Sequence, residues 1–421
     1  MRLAITGGLL VDPAAGTETR ADLYVAEGRI VAAGEAPQGF RADRVLDAAG
    51  LVVCPGLVDL WARLGGPGAG LDGELAAAVA GGVTRLACPP DSDPPLDEPG
   101  LVEMLARHAD STALAQVHPV GALTCGLAGE KLAELGALSQ AGCVAFSQGD
   151  RPVADLVVLW RALQYATTFG FRVWLHPEDG SLARGGVAHD GEVAGRLGLP
   201  GIPALAETVA VATALLLARD TGTRLHLTRL SCADSVEMVR RARAEGMEVT
   251  CDVSVHHLHL SELDLGYFDP LCRLEPPLRS QRDRDALAHG VADGTIQAVC
   301  SDHRPLDEDD KQLPFGEAGA GATGLELLLP LTLKWALHER LALPSALAPV
   351  TTGPARVLGL ELPSLAPGAA ADLCLFDPGA WWTVERATLR SRGANTPFSG
   401  YELSGRVRCT LVAGRVVYES R

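Results

Sequence analysis

The chain has no C-x-x-C pair, no basic stripe, no apolar run of membrane-spanning length and no phosphate-loop glycine pattern. Each absence excludes a class of function. Its ten cysteines scatter from Cys54 to Cys409, several inside apolar runs such as "LACPP" and "QAVCSD". That pattern predicts free buried thiols in a reducing compartment, not disulfides or a zinc knuckle. Lys and Arg number 36 against 52 Asp and Glu, a formal charge of −16. Nucleic-acid phosphates and anionic lipids demand clustered cations, so neither is an expected partner, and the acidity serves solubility. The longest apolar stretch, "VAVATALLLA", is too short to span a bilayer, and "MRLAITGGLLVDP" lacks the apolar core of a signal peptide. The expected location is the cytoplasm.

What is present is a long alternation. With 421 residues, 47% of them hydrophobic, the chain can bury one large domain and a smaller one. Eight apolar, β-prone runs follow in order: "GLVDLWARL", "GVTRLACPP", "TALAQVHPV", "CVAFSQGD", "FRVWLHPED", "TRLHLTRLS", "MEVTCDVSV" and "IQAVCSDHR". Between them lie helical stretches such as "LAELGALSQAG", "DLVVLWRALQYATTFG", "ALAETVAVATALLLARDTG" and "CADSVEMVRRARAEG". Strand and helix repeated eight times predict a (β/α)8 barrel of the TIM type, over residues 55–345. Residues 1–54 and 346–421 instead read as short strands with turns at Glu27-Gly28 and Ala413-Gly414. The two ends are predicted to pack together as one small β-sandwich. The acidic, then Gly-rich stretch 305–324 reads as a long mobile loop, with "DEDDK" solvated. Trp381-Trp382 reads as packing in the β domain, and Gly65-Gly66 as a turn.

Chemistry in such barrels sits at the carboxyl ends of the strands. Those segments, with "PGLVDLWARLGGPG", "LHPEDGSL", "SCADSVEMVRRARAEGMEVTCDVSVHHLHL", "EPPLRS", "CSDHRP" and "SRGANTPFSGYELSGRV", resemble dihydroorotase. That family belongs to the amidohydrolase superfamily and hydrolyses cyclic amides. The likeness runs almost end to end. It implies a metal-dependent barrel flanked by a β-sandwich, with a divalent metal, usually a pair, generating the nucleophile.

The resemblance also implies which residues should hold that metal, and most are replaced. The family's His-x-His on the first strand stands here as Trp61 and Arg63, and its substrate-carboxylate arginine as Gly65. The substrate asparagine after the second strand is Pro90. The bridging ligand of the fourth strand falls at Gln148, and Asp150 reaches that position only after a register shift. A carbamylated lysine is excluded, because the only lysines are Lys131, Lys311 and Lys334. The fifth strand keeps His176, and the sixth has Arg229 for a histidine. Glu275 replaces a substrate-contacting asparagine and Leu306 a substrate-binding histidine. Asp302, the family's ligand and general base, remains as a vestige.

Arginine has no lone pair to offer and stays protonated, and tryptophan offers only an N–H. His176 and Asp302 are two ligands where catalytic zinc generally needs three from the protein. The expectation is therefore no zinc, no other cofactor and no catalytic residue. Arg63 or Arg229 is expected to pair with the buried Asp302 in the ion's place. His256, His257 and His259 read as structural, and His176 as a hydrogen-bonded core histidine. Some bacteria carry an inactive dihydroorotase-like chain that assembles with aspartate transcarbamoylase, and this sequence resembles that chain. By resemblance the partner is the aspartate transcarbamoylase catalytic chain, within a homo- and hetero-oligomer in pyrimidine biosynthesis. The contrasting readings are an active dihydroorotase with a rebuilt site, or another cyclic-amide hydrolase holding one metal through His176, Asp302 and a third ligand.

Overall fold

The computed structural model describes residues 1–65 and 70–420, so Gly66 of the expected turn lies outside the described residues. All eight apolar runs become strands of one parallel sheet: Leu57–Asp59, Val83–Cys88, Gln116–Ala122, Ala145–Ser147, Arg172–Leu175, Arg224–Leu227, Val249–Ser254 and Ala298–Cys300. They pair in sequence order, and a helix follows each. Parallel strands buried on both faces need such continuous apolar runs. The first and eighth strands meet just past their ends. A parallel bridge joins Ala62 to His303, and the Asp59 carboxylate accepts from the Ser301 N–H (2.8 Å) and hydroxyl. The sheet is thereby closed into a barrel.

The barrel interior is filled by Val58, Leu60, Trp61, Ala87, Val120, Ala145, Trp174, Ala298 and Cys300, with Val357 and Leu358 from below. That last contact corrects the predicted boundary at residue 346. Residues Leu343–Leu347 and Thr352–Leu358 are helical, and the second helix plugs the barrel base. The carboxyl-terminal β segment starts only at Leu373.

The two ends of the chain do share one β unit. A six-stranded sheet orders Arg415–Glu419, Glu402–Val412, Leu373–Thr383, Val52–Pro55, Leu9–Asp12 and Thr17–Arg20. It faces a four-stranded sheet of Arg29–Ala33, Leu23–Ala26, Arg2–Thr6 and Arg44–Asp47. Leu3, Ile5, Leu23, Val25, Val53, Leu373, Leu375 and Leu411 form their common core. The predicted turns at Glu27-Gly28 and Ala413-Gly414 are present, each with positive φ at both residues. Such turns match the twist of the strands they join.

Two further readings are corrected. The stretch 305–324 exposes Asp307–Asp310 but is pinned: Lys311 is buried, donating to the carbonyls of Pro270 (2.9 Å) and Arg273 (3.1 Å), and Phe315 is buried. The tryptophan pair does not pack as a unit, since Trp381 is 70% exposed while Trp382 lies against Arg406. All ten cysteines are free, nine of them buried. Among the described residues, no helix is long and apolar enough to cross a membrane.

Candidate functional site

The carboxyl ends of the strands deliver charged side chains to one point. Arg63 follows the first strand, Asp91 the second, Asp150 the fourth, His176 the fifth, Arg229 the sixth and Asp302 the eighth. Arg63 donates to Asp91 at 2.7 Å and to Asp150 at 2.5 Å, and its other nitrogen lies 3.8 Å from Asp302. Arg229 pairs with Asp150, reaches Asp302 at 3.3 Å and donates to the Glu275 carbonyl at 3.2 Å. Arg304 approaches Asp150 at 3.4 Å. Three guanidinium groups thus face three carboxylates. Asp302 pairs with both arginines, as expected, but the hub is Asp150.

Beneath this cluster lies Trp61, fully buried, with the Arg229 guanidinium 4.7 Å and that of Arg63 5.7 Å from its ring. The electron-rich indole face stabilises a desolvated cation. Arg229 and Asp302 both hold left-handed backbone, φ 53 and 47. Such strain in non-glycine residues persists where the surroundings dictate it; at Arg229 the backbone N–H donates to the buried Asp252 carboxylate at 2.7 Å.

The electrostatics are those of a cation-filled cavity. Burial works to raise the Asp150 carboxyl, but Arg229 and then Arg63 overcome it and hold it well below the usual carboxylate range. For Asp302 burial prevails over Arg229 and Arg63, lifting it to about 6. Burial and then Arg229 press His176 down to about 3, so the imidazole is neutral. Its Nδ1 lies 3.4 Å from the Thr228 carbonyl. Burial, then Glu275, raises Glu178 to about 7.

A divalent metal does not fit this set of groups. Two guanidinium groups, stacked over the face of an indole, occupy the point where donors with lone pairs would be needed. Among the described residues, no group of three or more His, Cys, Asp or Glu converges as a metal site. The three histidines past the seventh strand diverge: His257 meets the Pro276 carbonyl (3.1 Å), His259 meets that of Leu331 (2.9 Å), and His256 stacks on Phe398.

The remaining positions read from the sequence are scattered or apolar. Gln148 is buried, its carbonyl accepting from Thr124 at 2.9 Å. Pro90 accepts from the Leu96 N–H at 3.0 Å, and Leu306 is fixed through its N–H to Asn395 at 3.0 Å. Glu275 contributes its carbonyl rather than its carboxylate to Arg229. Gly65 and Leu306 line a small cavity of about 180 Å³ at the mouth, beside Arg63, Asp91 and Arg304. Sequence reasoning missed the roles of Asp91, Asp150 and Arg304. A signal existed: two new buried arginines demand new carboxylates, and Asp91 and Asp150 each follow a barrel strand.

Comparisons with known proteins identify the family. A family profile described as "Dihydro-orotase-like" matches residues 50–235, and one described as "Amidohydrolase family" matches residues 192–417. The chain is 45% identical to a "Dihydroorotase-like protein" of Pseudomonas aeruginosa, over 100% of both chains. It is 39% identical to a "Dihydroorotase" of Geobacter sp. (strain M21), again over 100% of both. Among solved structures it resembles the L-hydantoinase (dihydropyrimidinase) from Arthrobacter aurescens, at 25% identity and a TM-score of 0.87, covering 99% of this chain and 96% of that one.

Proposed function

Because the chain belongs to the dihydroorotase-like members of the amidohydrolase family, we propose that it is a non-catalytic protein of pyrimidine biosynthesis that assembles with the aspartate transcarbamoylase catalytic chain and supports its activity. The observation that carries the non-catalytic reading is the pairing of Arg63 and Arg229 with Asp150 and Asp302. Metal-assisted ring opening needs a bound water made acidic by a dication. Here permanent side-chain cations already neutralise the carboxylates, and neither can activate a water. The intact scaffold is consistent with a role in assembly, and the free thiols with the cytoplasm.

The test has two arms. Purified chain is expected to hold far less than one zinc per molecule by metal analysis, and to show no interconversion of dihydroorotate and carbamoyl aspartate. Tagged chain drawn from its native cytosol is expected to bring aspartate transcarbamoylase with it, and that activity should fall when the chain is deleted. Stoichiometric zinc with turnover would instead establish a rebuilt hydrolase.

A further inference from the structure

The opposite mouth of the barrel holds an arrangement that the loss of the metal does not explain. The fifth and sixth strands pair in register, Arg172 beside Arg224 and Trp174 beside His226. Side chains two apart on a strand share a face. The register therefore sets two arginines side by side at the barrel's amino-terminal rim, with an indole and an imidazole one layer deeper. Trp174 and His226 lie 5.0 Å apart, and the Trp174 N–H is buried without a partner among the described residues. Arg243, from helix Ala233–Ala244, and Arg356, from the helix plugging the base, line the same cavity of about 350 Å³.

Among the described residues the only carboxylate lining the cavity is Glu248, 3.3 Å from Arg224. Arg243 donates to the carbonyls of Gly294 and Thr295. Arg172 and Arg356 have no carboxylate partner among the described residues. Arg172 instead lies over Gly359, where a Cβ would come within 2.1 Å of its guanidinium. Burial, then the neighbouring Arg224, makes the Arg172 charge harder to hold. Like charges set opposite each other across strands are destabilising. Four arginines against one glutamate, in a chain of net charge −16, form a local excess of cation that an anion would relieve.

We propose that this cavity, walled by Arg172, Arg224, Arg243 and Arg356 above Trp174 and His226, binds a small phosphorylated metabolite. Guanidinium forks match the oxygens of a phosphate and hold it in two-pronged pairs. A volume of about 350 Å³ suits a phosphate monoester or diphosphate of modest size. The site is distinct from the barrel mouth and does not depend on whether the chain is catalytic.

Calorimetric titration of the full chain with pyrophosphate, and with glucose 6-phosphate as a monoester probe, tests this. Saturable binding is expected, weakening as salt is raised. The double variant R172A/R224A should lose about tenfold or more in affinity, since each charge-assisted pair removed is strong. Glu248→Gln, which removes the one carboxylate lining the wall among the described residues, should tighten binding, and keeps the test decisive if the double variant does not fold. Absence of binding by either probe, or equal affinity in the wild type and both variants, would overturn the assignment. A hexaglutamate peptide binding more tightly than pyrophosphate would overturn it too, by marking the face as a protein-docking surface.

Discussion

Replacing Asp150 with Asn or Ala is expected to cost about 3–5 kcal/mol of stability, read from the shift of the guanidinium chloride unfolding midpoint. The cause is charge rather than packing. Asp150 accepts from Arg63 and Arg229 and lies near Arg304, and the Arg229 side chain is only 1% exposed. Without it, two desolvated guanidinium groups share only Asp302 between them, with Asp91 held by Arg63 alone. Unit charges about 4 Å apart interact by about 4 kcal/mol at an effective dielectric near 20. Asn keeps the shape and loses the charge, so D150N should be nearly as damaging as D150A. The double variant D150N/R229M should be less destabilised than the sum of its singles, because removing both partners leaves no orphan charge.

Two of the cluster's three carboxylates, Asp150 and Asp302, also pull stability in opposite directions with pH. Asp150 is depressed in the fold, so its contribution is complete above about pH 4 and is lost as pH falls through its lowered value. Asp302 is raised to about 6, so the unfolded chain releases that proton first and stability declines as pH rises from about 4 to 6. The wild-type advantage over D150N should therefore shrink below about pH 4 and hold steady at neutrality. A D150N midpoint indistinguishable from wild type at pH 7 would mean that the arginines are solvated, and the idea of an internal cation in the ion's place would fail.

How far this could be read from residues alone differs between scaffold and site. The eight strands were legible because a buried parallel strand must be a continuous apolar run, and each such run is bounded by turn or helix signals. That Trp61, Arg63 and Arg229 offer no lone pairs was legible from residue type alone. The hub was not legible: Asp150 lies two residues past Gln148, and only the loop geometry after the fourth strand turns it toward both guanidinium groups. The helical plug at Thr352–Leu358 was lost to the β domain because its seven residues carry too little periodicity to mark a helix. The loop 305–324 looked mobile from composition. Its anchor is one lysine that two distant carbonyls happen to receive, a long-range contact no local pattern encodes.

Glu74 carries the second large expected effect. It is a fully buried carboxylate on the first barrel helix, Leu71–Ala80. It accepts from His303 Nε2 at 2.9 Å, from the Ser391 hydroxyl at 2.7 Å and from the Arg392 N–H at 3.1 Å. One side chain thus ties the first helix to the end of the eighth strand and to the segment returning from the β unit. Burial opposes its charge, but His303 and then Ser391 and Arg392 hold it below its ordinary value. The imidazole cannot adapt to its loss by exchanging its proton. Its Nδ1 already accepts from the Gly324 N–H at 3.1 Å, so the hydrogen must stay on Nε2 and face Glu74. Glu74→Ala would leave two buried donors, on His303 and Ser391, and the part-buried Arg392 N–H without their acceptor, and is expected to cost about 3–5 kcal/mol. Glu74→Gln keeps one acceptor but turns an amide N–H toward those donors, and should cost about 1–3 kcal/mol. The contribution is complete above about pH 4.3, the ordinary glutamate value, and fades as pH falls through the lowered one. Hydrogen exchange locates the effect: in E74A the amides of residues 391–396 should lose protection before those of the barrel strands. Full protection of that segment in E74A, together with an unchanged unfolding midpoint, would show that the tie is not what holds the β unit's return segment against the barrel.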